Sequence, residues 1–138
     1  MRRIAMLIAL VGLFVGATAV PASADRPEVD TGSRVFEDID VCTGELQTVT
    51  LEFTFVTHHH GNNVVTYWTG ESSTSLGYYG TGSGKIVSND NMERLQERFA
   101  WVSTNEETGH ATTVEGAYTI EYGEPVPVED FVYTCLTA

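Results

Sequence analysis

Cys42 and Cys135 are the two cysteines of the chain, and they bracket almost all of its strand-forming sequence. In an exported protein two cysteines most simply make one disulfide. Such a bridge would tie the first strand candidate to the last, so the chain must return in space to where it began. The alternative is two free thiols, one of them a nucleophile. A reactive cysteine wants a histidine partner and an electropositive setting. Cys42 instead has Asp38, Asp40 and Glu45 around it, and that opposes thiolate formation.

The expectation of export comes from residues 1–24. Met1-Arg2-Arg3 is a short positive start, Ile4 to Val20 is apolar, and Ala22-Ser23-Ala24 fits a signal-peptidase site with cleavage before Asp25. The apolar run of about 17 residues is at the lower limit for spanning a membrane. Acidic residues follow it in place of a positive stop-transfer cluster, and no cysteine stands at the cleavage point to carry a lipid. The reading is therefore a signal peptide at 1–24, a flexible N-terminus at 25–33 and a single secreted, extracellular domain at 34–138.

Charge narrows the partners. Asp and Glu number 19 against 7 Lys and Arg, a net charge of −12. Removal of the leader takes away Arg2 and Arg3 and no acid. A nucleic-acid binder needs a basic face to displace counterions from phosphates, and an anionic membrane surface needs the same. Both classes are excluded. The plain reading of the acidity is solubility alone; read as a partner signal it points to neutral or cationic molecules, and the partners expected are a small apolar ligand or an extracellular protein or glycan.

The domain reads as strands. In Leu46 to His58, Val49, Leu51, Phe53 and Phe55 alternate with Thr48, Thr50, Glu52 and Thr54, the period of a half-buried strand. Arg34–Cys42 would precede it. Gly61-Asn62-Asn63 is a turn composition, and Val64–Thr69 completes a hairpin. Short strands follow at Leu76–Tyr79 and Lys85–Ser88. Ala111–Tyr122 is a longer one with Gly116 as a candidate bulge, and Val126–Leu136 is the last. Asn91–Ser103 also places Met92, Leu95, Phe99 and Val102 at helical spacing, but its hairpin context favours a strand. The fold class expected is all-β. About eight antiparallel strands would form an up-and-down barrel or barrel-like sheet, with a two-sheet sandwich as the alternative.

With Cys42-Thr43-Gly44-Glu45 after the first strand, the chain resembles a group of small secreted actinobacterial proteins. Leu51 to His58, Tyr79-Gly80-Thr81-Gly82 and Phe131 to Cys135 carry the rest of the likeness. The resemblance implies a secreted β-protein and a strand at Asn91–Ser103. It supplies no catalytic residues.

Chemistry-bearing groups are few. His58 and His60 share a strand face, and His110 would have to join them to make a metal site. Glu52, Glu115 and Glu121 lie opposite the apolar residues and read as solvated. Gly80-Thr81-Gly82-Ser83-Gly84-Lys85 lacks the positions of a phosphate loop and reads as a flexible turn. Phe53, Phe55, Tyr67, Trp101, Tyr118 and Tyr133 are inward candidates. The first five would line a ligand cavity; Trp68, Tyr78 and Tyr79 would serve surface recognition. No catalytic residue and no cofactor is indicated. The expected function is non-enzymatic capture of a small hydrophobic molecule or an extracellular partner. The competing classes are a cyclase- or isomerase-type barrel enzyme, which would need an ionisable group among the inward aromatics, and a filled structural or inhibitory protein.

Overall fold

The computed structural model describes residues 26–122, 124–126 and 131–137; the leader lies outside them. All eight elements among the described residues are strands: β1 (Glu28–Ile39), β2 (Leu46–His60), β3 (Asn63–Thr74), β4 (Tyr79–Asn89), β5 (Arg94–Thr104), β6 (Ala111–Glu121), β7 (Glu124–Val126) and β8 (Val132–Leu136). They form one antiparallel sheet in which β1 to β6 pair in chain order. The three residues of β7 pair with Thr119–Glu121 and those of β8 with Ala111–Glu115. Of the single last strand expected over Val126–Leu136, the described residues at both ends pair with β6, and 127–130 lie outside the described residues.

A disulfide joins Cys42 to Cys135, with their Cα atoms 5.2 Å apart. Cys42 follows β1 and Cys135 lies in β8. Laid flat, six inter-strand steps of about 4.8 Å would hold these two strands roughly 30 Å apart. The sheet therefore curls far enough to bring the turn after β1 against β8. The bridge spans 93 residues, a loop for which chain entropy allows about 4–5 kcal/mol. Asp40 builds the turn beside it. The buried carboxylate accepts hydrogen bonds from the Cys42 backbone N–H (3.0 Å), the Thr43 hydroxyl (2.7 Å) and the Tyr78 hydroxyl (3.3 Å). The Asp40-to-Glu45 run is thus a tight turn organised by one carboxylate next to the staple.

Alternation sets the inner face. Val49, Leu51 and Phe53 of β2 and Trp68 of β3 form its buried centre, with Phe36, Phe55, Ile86, Phe99 and Trp101 packed against it. Over Gly80–Gly84, β4 contributes no side chains here. Gly80, Gly82 and Gly84 alternate along its inner face, and a Cβ at Gly82 would overlap the indole of Trp101, one at Gly84 that of Trp68. These glycines form a slot in which the rings of two flanking strands lie against bare backbone.

Several sequence expectations change. The Gly80–Gly84 run is strand, not turn, because Trp68 and Trp101 cover it. Leu76 belongs to the turn between β3 and β4, where Gly77 has a φ of 86°, and no strand runs over Leu76–Tyr79. β1 starts at Glu28, so most of the segment expected to be flexible is paired, Glu28 opposite Thr57 and Ser33 opposite Glu52. Gly116 is no bulge: it pairs in unbroken register with Phe99, and its missing side chain leaves room for Phe99 and Phe131, whose rings lie 5.4 Å apart. Asn91–Ser103 is strand over most of its length, as its context favours.

Candidate functional site

Leu95, Glu97, Phe99 and Trp101 of β5 point to the inner face, and Glu97 is the charged member of the set. It is 5% exposed. The indole N–H of Trp68, two strands away across the β4 glycines, donates to Glu97 Oε1 at 2.6 Å. The hydroxyl of Tyr118, directly opposite on β6, donates to Glu97 Oε2 in a short contact. Burial pushes the Glu97 carboxyl above the ordinary carboxylate range, and the bonds from Tyr118 and Trp68 pull it partly back. The Tyr118 hydroxyl is pushed far above its usual range, first by burial and then by the charge of Glu97.

Aromatic rings surround this carboxyl. Phe53 meets Trp68 edge-on at 5.9 Å and Trp101 at 6.4 Å, and the two indoles lie 5.9 Å apart. Trp101 donates its own N–H to the Ser72 hydroxyl at 3.0 Å. Phe53, Trp68 and Tyr118 are buried, whereas Phe36, Phe55, Phe99 and Trp101 keep part of their surface accessible. The site is a closed polar knot with a partly uncovered aromatic wall beside it.

Of the five residues expected to line a cavity, Phe53, Phe55, Trp101 and Tyr118 are on this face. Tyr67 is not. It points outward, 47% exposed, with Lys85 Nζ 5.5 Å from its ring centre and His58 edge-on to it at 6.1 Å. The three surface candidates divide. Tyr79 is exposed, but Trp68 and Tyr78 are buried. Trp68 is drawn inward by its position opposite Phe55. Tyr78 is held on Asp40, and its hydroxyl is raised by burial and by that neighbouring charge. Tyr133 shares the register parity of Cys135 on β8 yet remains half-exposed.

His58 and His60 do share a face, with rings stacked at 6.1 Å. They sit at the β2–β3 turn, and His110 lies just before β6, whose start is level with the far end of β2. The three do not converge, and no group of three or more His, Cys, Asp or Glu able to hold a metal occurs among the described residues. Glu52 and Glu115 are exposed on the outer face, and Glu121 on that face meets Arg94 at 3.3 Å.

Glu97 is the site residue missing from the sequence reading. Its signal was parity: in a strand that turns Leu95, Phe99 and Trp101 inward, residue 97 goes with them. The chain matches no family model, no curated protein and no solved structure, so its chemistry rests on these residues alone.

Proposed function

We propose that the protein is a secreted, non-enzymatic binder whose curled sheet completes a barrel around a small, apolar, ring-shaped molecule. The observation that supports this most directly is the inner aromatic wall of Phe36, Phe55, Phe99 and Trp101, incompletely covered beside a buried core. The sheet is seven strands across, with β7 and β8 sharing one edge of β6, close to the eight that hold one small ligand, and such sites are mostly apolar with a few fixed polar groups. Glu97 serves as the fixed group. By accepting from Trp68 and Tyr118 it locks both rings in place, so the wall is preorganised and less ordering is lost on binding.

A second reading, a cyclase- or isomerase-type enzyme, is favoured by one observation: Glu97 is a desolvated carboxyl joined to a tyrosine, the kind of group that serves as an acid or base. Against it, both carboxylate oxygens already accept bonds from buried donors.

The experiment is native mass spectrometry of the protein secreted by its own host, followed by organic extraction, and titration of the mature chain with neutral N-phenylnaphthylamine monitored by tryptophan fluorescence. The expected results are a bound mass released by solvent and saturable quenching that weakens at least tenfold in Trp101→Leu. A clean apo mass together with no saturable quenching overturns the reading. Turnover of the extracted molecule, lost in Glu97→Gln while binding persists, would favour the enzyme.

A further inference from the structure

The outer face of β3, β4 and β5 carries an arrangement that the inner-face reading does not use. The register sets Lys85 directly opposite Arg98, with Tyr67 opposite Lys85 on the other side. Like charges directly opposite on a sheet repel. In a chain with 19 acids and 7 bases, a carboxylate between these two cations would be the ordinary remedy. Neither makes an ion pair among the described residues, where the pairs are His59–Glu28 and Arg94–Glu121. The nearest acid in the register is Glu115, opposite Ala100 and diagonal to Arg98.

Tyr67, Lys85 and Arg98 wall a shallow depression of about 470 Å³ whose outward floor is Thr69, Ser83 and Ala100. The small floor residues leave the space, and the long residues fence it. A depression this open leaves much of a ligand in solvent, so it suits a short, polar one.

We propose that this depression binds a short saccharide carrying a single oxyanion. Arg98 offers a planar fork that matches a carboxylate or sulfate, and Lys85 adds a compact charge beside it. The hydroxyls of Thr69 and Ser83 can both donate to and accept from sugar hydroxyls. The exposed Tyr67 ring supplies an apolar flank of the kind sugars meet edge- or face-on. The overall negative charge sets the ligand's size. A long polyanion is repelled by the protein as a whole, whereas a short ligand with one charge feels mainly the local cation pair.

The test is isothermal titration and amide-shift mapping of the mature chain with four probes: a disaccharide ending in a uronate, one bearing a single sulfate ester, a neutral disaccharide, and a heparin-length polyanion. Binding by at least one mono-anionic probe is expected, weakened by added salt, with shifts on β3–β5 around Tyr67, Lys85 and Arg98. The neutral disaccharide should not bind, and heparin should bind no better than the short probe. The uronate and sulfate arms distinguish the two sources of the oxyanion. Lys85→Ala/Arg98→Ala, shown to be folded by circular dichroism, should lose tenfold or more in affinity. Equal binding of neutral and charged sugars, undiminished binding by the double variant, tighter binding of heparin, shifts confined elsewhere, or no binding by either mono-anionic probe would each overturn the proposal.

Discussion

Tyr67 and Trp68 are neighbours in the chain, and they belong to two different environments. Trp68 turns inward, is 7% exposed, and spends its N–H on a buried carboxylate. Tyr67 turns outward, is half-exposed, and is flanked by a lysine and a histidine. The same three strands thus present an inner face with bulky rings on β3 and β5 over glycines on β4, and an outer face with small residues fenced by long ones. The inner face is constrained by volume, because its rings lie against bare backbone. The outer face is constrained by charge alone. Mutations of equal size on β4 should therefore have very different effects.

The largest difference is expected at neighbouring positions of β4. Gly82→Val would push a branched side chain into the Trp101 indole, and displacing a ring within a packed face typically destabilises by about 1–3 kcal/mol, occasionally more. Ser83→Val points the same atoms into the outer depression and should stay within about 0.5 kcal/mol. Urea melts of the two variants and the parent measure this directly. Equal midpoints would mean that the glycine slot is not a packing feature and that the two faces do not differ as described.

A smaller effect, read as a pH dependence, comes from Glu97. Its folded carboxyl is raised above the unfolded value. Between those two values the native state holds the proton more tightly. This contribution is fully present below the unfolded value, near 4.3, and is lost as pH rises through the folded one. Glu97→Gln removes that slope. It also places an amide where two donors converge, and leaving one buried donor unpaired costs about 1–3 kcal/mol. The stability gap between parent and variant should therefore shrink as pH rises from 4 through the folded value, and thermal melts across that range check it. A gap that widens with pH would show that the carboxylate is favoured inside, contrary to desolvation as the leading effect.

How much of this was legible in the sequence depends on where each signal resides. β2 was readable because its apolar and polar residues alternate over a long run, and the bridge because only one pairing exists. β3 was readable as a strand but not in facing, since Val64, Val65, Tyr67 and Trp68 put apolar residues on both sides. Only pairing with β2, which sets Trp68 opposite Phe55, decides it. β4 was misread at Gly80–Gly84 because a strand that contributes space carries no pattern of its own. Its pattern lies in Trp68 and Trp101 on the neighbouring strands. Glu97 was hidden for a different reason: a lone charge in a strand is usually solvated, and its donors stand 29 and 21 residues away in sequence.

The smallest effect bears on the outer face, where two terms of opposite sign meet. Lys85→Ala removes one of two like charges placed directly opposite each other, and relief of such a pair is worth roughly 0.2–1 kcal/mol. It also removes the ammonium over the Tyr67 ring, where an exposed contact contributes about 0.5–1 kcal/mol. The two nearly cancel, so the urea midpoint should move little at low salt; at high salt the repulsion is screened and a small loss from the missing cation–π contact should remain. A residue held for folding would not behave this way. A near-neutral midpoint, set beside the large loss at Gly82, would mean that the cation pair is not maintained by the stability of the sheet. A loss of 2 kcal/mol or more, above the roughly 1 kcal/mol an exposed cation–π contact supplies, would make Lys85 a structural residue and bring the two faces back under one rule.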